Sequence, residues 1–395
     1  MHLFVKKTCR RLSCLLKKRV IIFSSICIPV LILLGIQFMR ESPLSQPFAY
    51  ECCPPTSNYT RTNLYFLKTH KTGGTTVKSV MVRFAIKNSI DTLILRGNSY
   101  NKPFSNLSLH PQAITPNYKF HMFGQHVRYD SNMKLFQYPD TSMITILRHP
   151  ATLFRSMYTF FRLENYVGMT FQEFLNAPVK PAVLISEDSD RNIRGYNQMS
   201  LDLGFDSEHS NNQTAVTEFI MKIDREFDLV MIMEYMDESF VMLANLMGWP
   251  LEYVAFLKLN SRPPGENTCP LTKQDELTLM ELNHVDTQLY NYFHEKFLRC
   301  KRQYGEDNLN QQVEKLQIIN KNFEERCVAE EVIRLSRRNT ERIEYIPKNM
   351  SDMECVYSLQ TSAVLSQIIR NIQIEKLNSG ENEVSRSTLN LLQNY

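Results

Sequence analysis

The segment Leu64-Tyr-Phe-Leu-Lys-Thr-His-Lys-Thr-Gly-Gly-Thr-Thr-Val77 restricts the architecture of this chain more than any other stretch. Leu64 to Leu67 are all apolar or aromatic, the composition of a strand buried on both faces. Beyond the glycines, Val77, Val80, Met81, Phe84 and Ala85 recur at helical spacing and form one apolar face. The segment therefore reads as a buried strand, a tight turn and an amphipathic helix. Gly73 and Gly74 let the backbone turn sharply and approach a ligand. The amides of Gly74, Thr75 and Thr76 then stand at a helix N-terminus, where an anion is favoured. Lys71 and the threonine hydroxyls, Thr72 included, complete a phosphate cradle. This is not the Walker arrangement, whose lysine follows the last glycine. Lys71 precedes both glycines and belongs at the strand end, beside the terminal group of the bound phosphate.

A second half-site follows. Met143 to Leu147 is a β-branched run that reads as a strand. It ends in Arg148-His149-Pro150, and Pro150 suits the first turn of a helix over Ala151 to Phe161. Ser156 falls early in that helix, so its hydroxyl and the Arg148 guanidinium can converge on one anion. Arginine suits the role because its planar fork binds phosphate oxygens in pairs. Leu93–Leu95 and Leu229–Met233 add further strands with helical stretches between them. The alternation predicts an α/β fold, a central, mainly parallel sheet flanked by helices. Ligands bind at the carboxyl ends of such strands, where Lys71 and Arg148 both fall.

The termini carry an address. Val20 to Met39 is uncharged and about as long as a bilayer-spanning helix. Lys6, Lys7, Arg10, Arg11, Lys17, Lys18 and Arg19 precede it, which orients the N-terminus to the cytosol. The expected organisation is a cytosolic tail (1–19), a signal anchor (20–39), a Pro- and Ser-bearing stem (40–60), a folded domain (61–305) and a helical extension (306–395). In that extension Gln311 to Leu335 reads as helical and the tail from Ser379 as partly disordered. Asn58, Asn106, Asn212 and Asn349 open N-glycosylation sequons on the lumenal side. Cys52, Cys53, Cys269, Cys300, Cys327 and Cys355 lie beyond the anchor, where disulfides form. A net charge of only +4 does not demand a broad polyanion groove, and lumenal topology disfavours nucleic acid.

The order Lys-Thr-Gly-x-Thr-Thr after a strand resembles the 5′-phosphosulfate loop of sulfotransferases. An Arg at a strand end with a helical Ser eight positions later resembles their 3′-phosphate site. Phe66-Leu-Lys-Thr-His-Lys-Thr-Gly73, Leu201-Asp-Leu-Gly-Phe205, Met231 to Ser239, Phe256 to Asn260 and Asp286 to Tyr290 narrow the likeness. Together they resemble the membrane-bound galactose 3-O-sulfotransferases over residues 60 to 300. That resemblance implies a P-loop-like sulfotransferase fold and 3′-phosphoadenosine 5′-phosphosulfate as donor. It implies Lys71, Thr72, Gly73, Gly74, Thr75, Thr76, Arg148 and Ser156 as the donor site. The implied acceptor is a galactose 3-hydroxyl on a glycolipid or glycoprotein, and the implied setting a single-pass type II protein of the Golgi membrane. A homodimer is compatible with it.

Sulfuryl transfer needs a cation on the leaving phosphate oxygen, the role expected of Lys71. It also needs a base for the acceptor hydroxyl, for which histidine is suited. His70, beside Lys71, and His126, in Phe120-His-Met-Phe-Gly-Gln-His-Val127, are the two candidates; His121 is a third. If the strand ran on, His70 and Lys71 would point to opposite faces, so a shared site requires the turn to have begun. No metal is expected. The rival enzyme is a manganese-dependent glycosyltransferase built on Asp188-Ser-Asp190. A non-catalytic lumenal glycan-binding protein on the same fold is the other alternative.

Overall fold

The computed structural model describes residues 56–93, 119–181, 195–259, 261, 270–335 and 340–379. The chain divides into two compact units, Met1–Glu51 and Cys52–Tyr395. The first, with the expected anchor, lies outside the described residues, as do Asp188-Ser-Asp190 and the Asn106 sequon. Among the described residues no helix is long and apolar enough to cross a membrane.

The second unit is built on a five-stranded sheet, with strands β1 (Leu64–Leu67), β2 (Thr92–Leu93), β3 (Met122–Gln125), β4 (Ser142–Leu147) and β5 (Leu229–Ile232). The strands run parallel in the order β2-β3-β1-β4-β5. All four residues of β1 are fully buried, because helices cover both faces of the sheet. Leu67 stands beside Gln125 on one side and Thr145 on the other, so the central strands β3, β1 and β4 run in register toward one edge of the molecule.

Helix α1 (Gly74–Lys87) leaves β1 directly, and α2 (Pro150–Phe161) leaves β4 with proline at its first position. The short helices α3 (Glu164–Val167), α4 (Phe171–Asn176) and α5 (Gln198–Asp202) follow, then α6 (Gln213–Glu226) and α7 (Met236–Met247) on either side of β5. Helices α8 (Lys273–Leu282), α9 (His284–Tyr304) and α10 (Glu306–Cys327) come next. Aromatic side chains consolidate the core: Tyr65 stacks on Phe123 at 4.9 Å and Phe84 on Trp249 at 3.9 Å. Leu309 and Leu316 of α10 enter the same core, so α10 is packed into the main body.

Three elements differ from the sequence reading. Strand β3 goes beyond the sequence reading, because Gly124 weakens the strand pattern of Phe120 to Val127. The glycine gives room to Met81, whose Cε would lie 2.4 Å from a Cβ there and would have to shift. Strand β5 stops at Ile232, and Met233 begins a 3₁₀ turn. The helix expected over Gln311 to Leu335 ends at Cys327, after which β6 (Val328–Leu335) pairs antiparallel with β7 (Glu341–Pro347). The β-branched Val328, Val332 and Ile333 favour the extended form. Helices α11 (Met353–Ser358) and α12 (Ser362–Ser379) close the described chain.

Cys327 and Cys355 form a disulfide, and Cys300 is also disulfide-bonded; Cys52, Cys53 and Cys269 lie outside the described residues. Asn58, Asn212 and Asn349 are exposed. Asn212 also caps α6, its side-chain oxygen accepting from the amides of Thr214 and Ala215.

Candidate functional site

The loop between β1 and α1 turns earlier than strand alternation would allow. Lys71 has φ 59° and Gly73 has φ 83°, both left-handed, so the chain has left the strand before Lys71. His70 and Lys71 can therefore serve one site. Gly73 stands at the N-cap of α1, and the helix begins with no side-chain cap and no acid in its first turn. The resulting helix N-terminus has the polarity that an anion prefers.

The loop is braced from below. Thr69 Oγ1 bonds to the Ile146 carbonyl and to Thr72 Oγ1 at 2.8 Å. Thr72 is fully buried, and its hydroxyl also donates to the Thr69 carbonyl at 3.2 Å. Its hydroxyl thus shapes the turn from within instead of facing outward with those expected to line the cradle. Thr76 is also buried, and its amide donates to the Gly73 carbonyl. Thr75 remains half-buried on the first turn of α1.

The two half-sites meet. Arg148 follows β4, the neighbour of β1, and its Nη1 donates to the Lys71 carbonyl at 3.0 Å. Its Nε donates to Thr152 Oγ1 at 3.1 Å, which fixes the guanidinium against the first turn of α2. Ser156 stands on α2, half-buried, about 9 Å along the axis from Pro150. The Lys71 ammonium lies 3.7 Å from the centre of the Phe160 ring on the same helix.

The histidines fall into distinct environments. His70 Nδ1 lies 2.8 Å from Asp202 Oδ1, and its backbone amide donates to Asp202 Oδ2 at 2.7 Å. His70 and Asp202 are only 5% and 3% exposed. The His126 ring stacks on His70 at 4.2 Å, just beyond β3. His121 instead bonds to Asn63 at the amino end of the strands, remote from the loop. It plays no part in this cluster.

Asp202 is the residue that sequence reasoning passed over. It ends α5 and also accepts from Gln198 Nε2 at 2.9 Å. Its only sequence signal was its place within Leu201-Asp-Leu-Gly-Phe205. The structure explains that phrase: Gly204, at φ 90°, passes so close to the Tyr129 carbonyl that a Cβ would lie 2.4 Å from it. Behind α5, Asp286 accepts from the amides of Met199 and Ser200 and from the Ser200 hydroxyl. Burial raises its carboxyl to about 6, against the lowering effect of those bonds.

Among aromatics near the site that could stack on a sugar ring, Tyr158 is buried with its hydroxyl on the Met169 carbonyl, and Tyr196 stacks on Phe154. Phe161 lies 6.0 Å from the His70 ring, and Tyr166 is exposed. Among the described residues no group of three or more His, Cys, Asp or Glu is placed to hold a metal ion.

Comparison with known proteins gives a consistent picture. The family described as galactose-3-O-sulfotransferase matches residues 3–362. Galactosylceramide sulfotransferase of Bos taurus is 31% identical over 300 residues, which covers 73% of this chain and 68% of that protein. Galactose-3-O-sulfotransferase 3 of Mus musculus is 29% identical over 307 residues, covering 74% of this chain and 68% of its own. Galactose-3-O-sulfotransferase 2 of Sus scrofa is 29% identical over 280 residues, covering 68% and 69%.

Proposed function

The chain belongs to the galactose-3-O-sulfotransferase family, and from that premise we propose that it moves the sulfuryl group of 3′-phosphoadenosine 5′-phosphosulfate onto a galactose 3-hydroxyl. It is a carbohydrate sulfotransferase with a parallel α/β core. The observation that carries the finer reading is the contact of Arg148 with the backbone of Lys71. It brings the exits of two adjacent strands into one basic site.

In this reading the amides at the start of α1, with Thr75, receive the 5′-phosphosulfate. Arg148 and Ser156 receive the 3′-phosphate. The acceptor hydroxyl attacks sulfur in line as the bond from sulfur to the phosphate oxygen breaks. Negative charge grows on that oxygen, and the Lys71 ammonium stabilises it more in the transition state than in the ground state.

His70 is the base. Its Nδ1–H donates to Asp202, which leaves the lone pair on Nε2 for the proton of the sugar hydroxyl. Asp202 fixes the ring and favours the imidazolium as it forms, while the stacked His126 restrains its plane. The apolar, uncharged Val20–Met39 with its basic flank supports a type II anchor in the Golgi membrane, and thus a lumenal acceptor on glycolipid or glycoprotein.

The test is to incubate the full-length protein with ³⁵S-labelled donor and a panel of β-galactosyl lipids, N-glycans and O-glycans, followed by linkage analysis. Label at O-3 of galactose is expected. Transfer of a sugar from a sugar nucleotide in manganese, with no sulfate transfer, would replace this reading with the glycosyltransferase.

A further inference from the structure

We propose that helix α12 holds the donor loop in its binding form, through Lys68, which is pinned between Thr75 and Ser362 and directs the Thr75 hydroxyl toward the 5′-phosphosulfate. The proposal rests on the donor site described above and assigns a role to a helix that starts where the family match ends, at Ser362.

Lys68 is the first residue past β1, and its stem runs beneath Gly74, where a Cβ would lie 2.8 Å from Lys68 Cγ. Only 5% of the residue is exposed. Its ammonium donates to Thr75 Oγ1 at 3.2 Å and to Ser362 Oγ at 3.0 Å. In its protonated form Lys68 carries donors alone, so the Thr75 hydroxyl then accepts from it and sends its own proton elsewhere. A hydroxyl polarised by a cation is also the stronger donor. Thr75 occupies the turn whose amides face the anion, so the direction left to its proton is the direction of the phosphate.

Helix α12 is held in place by a second lysine and an apolar seam. Lys78, one turn along α1 from Thr75, donates to the Ser362 carbonyl at 3.2 Å and to Ser366 Oγ at 2.5 Å. Leu365 and Ile369 of α12 pack with Val82 on the side of α1 turned away from the sheet. The first turn of α12 carries no acid, although it receives two buried lysines. Burial lowers Lys68 to about 7 and pushes Lys78 down too, with repulsion from Lys68 adding to the effect. A phosphate at the adjacent loop would favour the protonated form of both amines.

The experiment titrates the full-length protein with adenosine 3′,5′-bisphosphate and with adenosine 3′-monophosphate, which lacks the 5′-group. Lys68→Met should weaken the bisphosphate about tenfold and leave the monophosphate unchanged. Thr75→Val should do the same, and the double variant should be no weaker than either single one. Ser362→Ala, which leaves both lysines in place, should give a smaller loss of the same selectivity. It also serves as the test should Lys68→Met fail to fold. Equal losses for both nucleotides, or losses that multiply in the double variant, overturn the proposal. Loss of binding in Arg148→Ala with unchanged binding in Lys68→Met and Ser362→Ala overturns the positioning role alone. A wild-type protein that binds neither nucleotide overturns the donor site, and the proposal with it.

Discussion

Asp202 grips His70 at two points, the ring Nδ1 at 2.8 Å and the backbone amide at 2.7 Å, so one carboxylate sets both the imidazole and the loop that carries Lys71. Replacing it as Asp202→Asn keeps the shape but presents an amide to one of two donors. The expected result is a fall in kcat of about 10²–10³ with donor affinity retained. His70→Ala should behave likewise, and His126→Ala should lose less. Single-turnover rates beside nucleotide titrations check this; a variant of Asp202 that loses binding in step with rate would contradict it.

Lys71 and Arg148 should separate by kinetics. In the proposed mechanism Lys71→Ala removes charge stabilisation that grows in the transition state, and should lower kcat by about 10²–10³. Arg148→Ala should weaken donor binding about tenfold or more, because a charge-assisted pair to phosphate is lost. Arg148→Lys should restore little, since a point charge cannot serve the Lys71 carbonyl, Thr152 and a phosphate together. Steady-state kinetics with varied donor decides the split.

Gly73→Ala tests the turn itself. At φ 83° an alanine costs about 1–2 kcal/mol, and its Cβ would stand 2.8 Å from Met236 Cε on α7. The methionine tip can yield, so the variant should fold with a modest drop in Tm. Its larger effect should be on donor affinity, because the amides at the start of α1 shift. Thermal melts and nucleotide titration together measure both.

The carboxyl of Asp286 predicts a pH signature. Burial raises it to about 6 in the folded protein, against about 3.9 in the unfolded chain. The folded state therefore holds its proton to higher pH. The stability this confers is full below about pH 4, declines as pH rises through 6 and is flat above. In Asp286→Asn that decline should vanish. The stability advantage of wild type should shrink by about 2–3 kcal/mol between pH 4 and 7. Denaturant melts across that range provide the check; parallel curves would refute the assignment.

Much of this arrangement was legible in the residues. The strand at Leu64–Leu67 and the helix after it announce themselves by composition and period, and the Arg148 strand exit by its β-branched run. Asp202 was not legible, because a lone aspartate inside a short helix looks like any surface acid until tertiary contact buries it against His70. Nor was β3, whose pattern is broken by Gly124, packed against Met81. Nothing in the sequence singles out Lys68; only the docking of α12, nearly three hundred positions later, gives it a fixed place. The β6–β7 hairpin was hidden for a different reason. Its polar, weakly periodic residues suit an exposed helix as well as an exposed strand, and pairing across the turn decides between them.

The Phe160 ring beneath the Lys71 ammonium has a consequence for turnover. An aromatic face attracts a cation only weakly, so leaving the ring costs the lysine about 0.5–2 kcal/mol. In the proposed reaction that is little to give up when the ammonium turns toward the bridging oxygen, and little to regain once the spent nucleotide has gone.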